Sequence, residues 1–73
     1  MDDKNSKLRG LQGDELQEKV NSLTAEEIAK EAVMAENLIE LGQFGLKHWR
    51  HESVFAYPMI SRGEEILKAI SRR

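Results

Sequence analysis

The sequence predicts a small α+β domain that is mostly helical and contains one β-hairpin. Apolar residues recur at helical spacing in residues 14–22, 25–41 and 61–70, which indicates three amphipathic helices. Between the last two of these, residues 54–57 (Val-Phe-Ala-Tyr) are β-branched or aromatic, which is typical of a strand. An all-α bundle of three or four helices stays open as the alternative, because apolar residues from 46 to 56 also fit helical spacing.

Length and composition indicate a single domain with a small core. The chain has 73 residues and no cysteine, so self-association is the remaining way to reinforce that core. No apolar run reaches the roughly 18 residues of a membrane span, and the first residues are charged where a signal peptide would be apolar. We expect residues 1–10 to be a disordered lead, residues 11–73 to be the domain, and the protein to be cytoplasmic.

The first two helices have clear boundaries in the sequence. Apolar residues at helical spacing make residues 14–22 a short amphipathic helix. Thr24 and Glu27 then form a capping box, in which each side chain accepts a hydrogen bond from the other residue's backbone N–H. We expect the second helix to begin there and to end at Gly42, with Gly45 in the following loop.

Residues 46–60 decide the fold class. Residues 46–50 and 54–57 can pair as two antiparallel strands, and Pro58 would confine the second of them to a sheet edge. If the stretch is instead helical, Pro58 would end that helix by disfavouring the α region at the residue before it. Ser61 and the residue three positions later form a second capping box, which is expected to begin the last helix.

Charge is distributed unevenly along the chain. Residues 1–42 hold five Lys/Arg against ten acids, a net −5, whereas residues 43–73 hold six against three, a net +3. A basic half of this kind is typical of a site for an anionic partner or of self-association between opposite faces. It also fits an ordinary solvated surface, and the Lys and Arg of the last turn complement the helix dipole without any ligand.

Two patterns in residues 38–70 are typical of a known family. The first is Leu-x-x-Leu-Gly at residues 38–42, followed by the apolar Phe44. The second is an aromatic-x-apolar triplet at residues 57–59 that leads into Gly-x-x-Ile-Leu at residues 63–67. On these residues the chain resembles the back half of a winged-helix domain of small bacterial transcription regulators. The resemblance implies a wing hairpin, a capped helix after it, and binding to double-stranded DNA by a small bacterial or phage-like protein.

The candidate binding residues follow from these two interpretations. As a winged-helix-like regulator, the protein would contact backbone phosphates through basic side chains of its second half, namely Lys47, Arg50, His51, Arg62, Lys68, Arg72 and Arg73. The alternative is a protein-interaction module or homodimeric adaptor that binds no nucleic acid. The resemblance makes residues 33–41 the recognition helix, and two carboxylates in that helix would be repelled by phosphates. The interface residues of this alternative would be Glu36, Glu40, Trp49 and Phe55, although a lone Trp can equally be the main core aromatic.

Catalysis and cofactor binding are not expected. His48, His51 and Glu52 do not reproduce the His-Glu-x-x-His zinc arrangement, and too few ligands are close in sequence for a metal site. The acid pairs open helices, where the dipole favours negative charge. The sequence contains neither a nucleophile with its base nor a phosphate-binding glycine loop, so we expect no enzyme, no cofactor and no small-molecule substrate.

Overall fold

The chain forms a bundle of three α-helices. The computed structural model describes residues 7–51 and 53–73. In chain order the elements are α1 (Gly13–Ser22), α2 (Ala25–His48), a 3₁₀ turn (Ser53–Phe55) and α3 (Ala56–Ser71). Within the described residues there is no β-strand, so the predicted α+β fold with a winged-helix-like β-hairpin is wrong and the all-α alternative fits.

The first half of the chain folds as the sequence predicts. Leu16 and Val20 are buried on one side of α1. The capping box of α2 is present, because the N–H of Glu27 donates to the Thr24 hydroxyl at 3.2 Å and the N–H of Thr24 donates to the Glu27 carboxylate at 2.9 Å. Both predictions are confirmed, since they depend on local spacing and on contacts within one helical turn.

The predicted end of α2 at Gly42 is wrong, because this glycine serves close packing and does not terminate the helix. A Cβ at Gly42 would lie 2.9 Å from the carbonyl oxygen of Ala56, and a Cβ at Gly63 would lie 2.6 Å from that of Ala35. The two glycines therefore let α2 and α3 run antiparallel at short backbone distance. Helix packing at this distance outweighs the modest preference of glycine against helix interiors.

The stretch of residues 46–60 is helical except at its turn. It contains the last turn of α2, the connection, the 3₁₀ turn and the first turn of α3. Pro58 is the third residue of α3, where the missing backbone N–H would have no intrahelical partner anyway. Ser61 and Glu64 lie inside α3, so the capping box predicted there is also wrong.

The side-chain core lies at one end of the bundle. It is built from α1, the N-terminal half of α2, the C-terminal half of α3 and the segment before α1, and its buried members are Leu8, Leu16, Val20, Leu23, Ala35, Ile66 and Ala69. We call this part the three-helix end. Residues 42–60, where α2 and α3 pair without α1, form the hairpin end. The longest dimension of the molecule, 39 Å, is close to the roughly 36 Å of a 24-residue helix such as α2.

Part of the predicted disordered lead is placed in the structure. Residues 1–6 lie outside the described residues, whereas residues 7–10 form a turn. Within that turn, Leu8 is fully buried in the core. The described part of the lead therefore belongs to the domain.

Candidate functional site

The basic residues predicted to bind DNA are divided between two ends of the molecule. Lys47, Arg50 and His51 are exposed at the hairpin end, and Lys68, Arg72 and Arg73 are exposed near the C-terminus. Lys68 lies twelve residues after the start of α3 and Arg72 follows its last residue, so roughly 18 to 24 Å of helix separate the two groups. The fold therefore does not join them into one continuous basic surface.

Arg62 has an internal role. Its guanidinium donates to the carbonyl oxygen of Leu11 at 2.7 Å and to that of Leu8 at 2.6 Å, and it also donates to the Glu65 carboxylate at 2.9 Å. Hydrogen bonds from a charged donor are stronger than those between neutral groups. Arg62 therefore fastens the segment before α1 to α3, and its donors are used within the chain.

Two further contacts fasten α1 and its ends to α3. The Arg73 guanidinium donates to the carbonyl oxygen of Leu23 at 2.6 Å, and the Gln17 amide donates to that of Ala69 at 2.9 Å. The Leu23 carbonyl lies at the C-terminal cap of α1, and the Ala69 carbonyl lies in the last turn of α3, where it also accepts from the Arg72 backbone N–H at 3.2 Å. Of the seven predicted phosphate contacts, Arg62 and Arg73 thus have identified structural partners.

The N-terminal residue of the described segment is held by α2. The backbone N–H of Lys7 donates to the carboxylate of Glu31 at 3.1 Å, and the Lys7 ammonium lies 3.2 Å from the Glu27 carboxylate. Glu31 is only 3% exposed. The hydrogen bond from the Thr24 backbone, with a smaller effect of Lys7, lowers the pKa of Glu27 below its ordinary value of 4.5.

The predicted partner-interface residues lie in different surroundings. Trp49 is half-buried, its ring covers Gly45, and its backbone N–H closes α2 by donating to the Gly45 carbonyl at 2.8 Å. Glu36 and Glu40 are exposed along α2. Phe55 is 63% exposed at the hairpin end. Trp49 therefore has a structural role, and the other three residues are available to a partner.

Sequence reasoning missed most of the exposed apolar surface. Val54 and Tyr57 are 63% and 65% exposed, and with Phe55 they form what we call the apolar tip of the hairpin end. Only Ala56 among these neighbours points into the helix pair. The sequence does contain an indication of this surface, since three large side chains surround a small alanine that can face the neighbouring helix. From the sequence, these β-branched and aromatic residues were instead interpreted as a strand.

Within the described residues, the structure shows neither a cluster of metal-binding side chains nor a helix that could span a membrane. No three His, Cys, Asp or Glu side chains come together there to hold a metal. His48 instead stacks on Phe44, with ring centroids 4.3 Å apart. None of the described helices is long and apolar enough to cross a bilayer.

Comparisons of this chain with protein-family models, with curated proteins and with solved structures find no match. A function therefore has to be argued from the exposed surface itself.

Proposed function

We propose that this protein is a non-enzymatic interaction module that binds an acidic protein segment through the apolar tip. The observation that carries the proposal is the exposure of Val54, Phe55 and Tyr57, each of which leaves more than 60% of its surface in solvent. Single exposed apolar residues are ordinary, but three large ones within four positions are typical of an interaction surface. Covering them removes apolar area from water, which favours association.

Charge supports an acidic partner. The hairpin end has two Lys/Arg and two histidines against one acid in its sequence. Arg50 and His51 are exposed next to the tip in the connection between α2 and α3. Tyr, Phe and Arg are enriched in protein interfaces, and complementary charge accelerates encounter with the correct partner.

The DNA-binding function predicted from the sequence has less support. A duplex is held by many cations on one face, whereas the exposed cations here belong to two separate ends and Arg62 contacts backbone carbonyls. The apolar tip would also stay uncovered by phosphates. These observations favour the interaction module.

Trp49 provides the test, because it is the only Trp and precedes the tip by five residues in the sequence. Its fluorescence is followed while the whole chain is titrated with a Trp-free amphipathic peptide of Leu and Glu. We expect binding that weakens at least about tenfold in the Phe55→Ser, Tyr57→Ser double variant, since such aromatics dominate interface energies. Phe44→Ser is the matched control, because Phe44 is 53% exposed but lies on α2 outside the tip.

A random-sequence duplex is titrated in parallel. Binding of the duplex with a steep salt dependence, and no binding of the peptide, would replace the proposal with the nucleic-acid function. Equal peptide affinity in the tip variant and in wild type would also overturn it.

A further inference from the structure

We infer that the outer face of α2 pairs with the same face of a second copy in antiparallel orientation. The outer face consists of Met34, Asn37, Leu41, Phe44 and His48, with Val33, Glu40 and Lys47 along one edge. This inference goes beyond the proposed function, because it concerns a second surface of the molecule and a different partner, the chain itself. The apolar tip is a separate surface and remains the site for the acidic segment.

The position of the outer face follows from helix geometry. Ala35 faces α3, where its carbonyl oxygen is close to Gly63. Phe44 is nine residues further on, which places it about 180° away around the helix. Val33 and Asn37 lie within about 20° of the same direction. Val33 and Phe44 are accordingly 55% and 53% exposed.

Spacing along this face fits a second helix. Met34, Leu41 and His48 are seven residues apart, and Asn37 and Phe44 fall between them at the same interval. A repeat of seven with alternating steps of three and four is the seam along which two helices pack. Pairing over residues 37–48 would extend roughly 17 Å along each helix.

Charge selects the antiparallel orientation. The exposed acids Glu36 and Glu40 lie in the middle of the outer side of α2, and Lys47 lies near its end. When Leu41 of one copy is opposite Phe44 of the other, Glu40 of each copy comes beside Lys47 of its partner. In a parallel pair aligned in register, the same side chain in the two copies lies on opposite sides of the seam, so Glu40 would not reach Lys47 of the partner and this attraction would be lost. Opposite charges flanking the seam favour the antiparallel pair.

The same register produces distinct layers. Next to the two-fold axis are two apolar layers, in each of which Leu41 of one copy packs against Phe44 of the other. Outside each apolar layer is a polar layer, in which Asn37 of one copy faces His48 of the other. Polar layers reduce affinity but specify register. The hairpin ends of the two copies would overlap, and their three-helix ends would point in opposite directions.

The test is sedimentation equilibrium of the whole chain over a wide range of concentration. Glu40→Lys and Lys47→Glu each turn both flanking pairs repulsive, so each is expected to raise the dimer dissociation constant about tenfold. The double variant restores attraction, and an equimolar mixture of the two single variants is expected to form heterodimers with near wild-type affinity. Unchanged far-UV circular dichroism shows that these exposed substitutions leave the fold intact.

A wild-type chain that stays monomeric at every concentration, or single reversals that leave dissociation within about twofold of wild type, would overturn the inference. Phe44→Ser is expected to give a monomer that still binds the Leu/Glu peptide. A monomeric wild type that binds the peptide would refute the dimer alone, and a charge-dependent dimer that does not bind it would refute the tip alone.

Discussion

The three-helix end and the hairpin end use the same two helices in different ways. At the three-helix end, α2 and α3 contribute Ala35, Ile66 and Ala69 to a core with the buried apolar side chains of α1. At the hairpin end they pack through Gly42 against the backbone of Ala56. Where a third helix covers the pair, large side chains are buried. Where it does not, large side chains stay in solvent, although the backbones of the two helices approach closely at both ends.

Because of this difference, the three-helix end provides most of the folding stability, and the hairpin end keeps apolar side chains exposed for binding. Burial of large apolar side chains is the main favourable contribution to folding, and it is concentrated where α1 packs. The apolar tip buries little area within the chain, so its side chains retain their driving force for association. Three predictions can break or sharpen this contrast.

The largest difference is expected between a core residue and a tip residue. Leu16→Ala removes a side chain that is 2% exposed, and the cavity should lower the free energy of unfolding by about 2–5 kcal/mol. Phe55→Ala removes a larger side chain from a mostly solvated position, and the change should stay within about 0.5 kcal/mol. Urea denaturation measures both, and equal losses would show that the tip belongs to the core.

A smaller loss is expected for Gly63→Ala. The added Cβ would lie 2.6 Å from the Ala35 carbonyl oxygen, a backbone atom that cannot rotate away. Forcing α2 and α3 apart should cost about 1–3 kcal/mol, although alanine has the higher helix propensity. Ser61→Ala, at an exposed position in the same helix, is the control and should be neutral or slightly stabilising. A thermal melt in which Gly63→Ala gains stability would contradict close backbone packing.

The smallest effect concerns pH. The pKa of Glu27 is lowered in the folded chain, so its stabilising contribution is complete above its ordinary value of 4.5 and is lost as pH falls through the folded pKa. Glu27→Gln should therefore melt less pH-dependently than wild type in this acidic range. Glu26→Gln removes a neighbouring charge outside the capping box and should keep the wild-type profile. Parallel melting profiles for wild type and Glu27→Gln would exclude the contribution of Glu27.

Sequence reasoning succeeded where local contacts decide the structure. The capping box of Thr24 and the buried stripe of α1 depend on residues three or four apart, and both were predicted. It failed at the hairpin end. The sequence around Gly42 looks the same whether this glycine ends a helix or allows another helix to pack closely against it. Only the position of α3 distinguishes these possibilities, and that position depends on residues far away in sequence.

The candidate surface was predicted only in part. Phe55, Glu36 and Glu40 were identified as partner residues, and all three are exposed. The role of Arg62 could not be predicted, because its acceptors are backbone carbonyls more than 50 positions earlier. Every residue has a backbone carbonyl, so the sequence does not indicate which ones accept a hydrogen bond.

The contacts of Lys7 and Arg73 determine how the domain can be tethered. Lys7 is held by Glu27 in the first turn of α2, and Arg73 is held by Leu23 just before that turn. Both ends of the described chain therefore leave from the three-helix end. A label, a fusion partner or a solid support attached at either end would anchor the domain there and leave the apolar tip facing outward, at the far end of a 39 Å body.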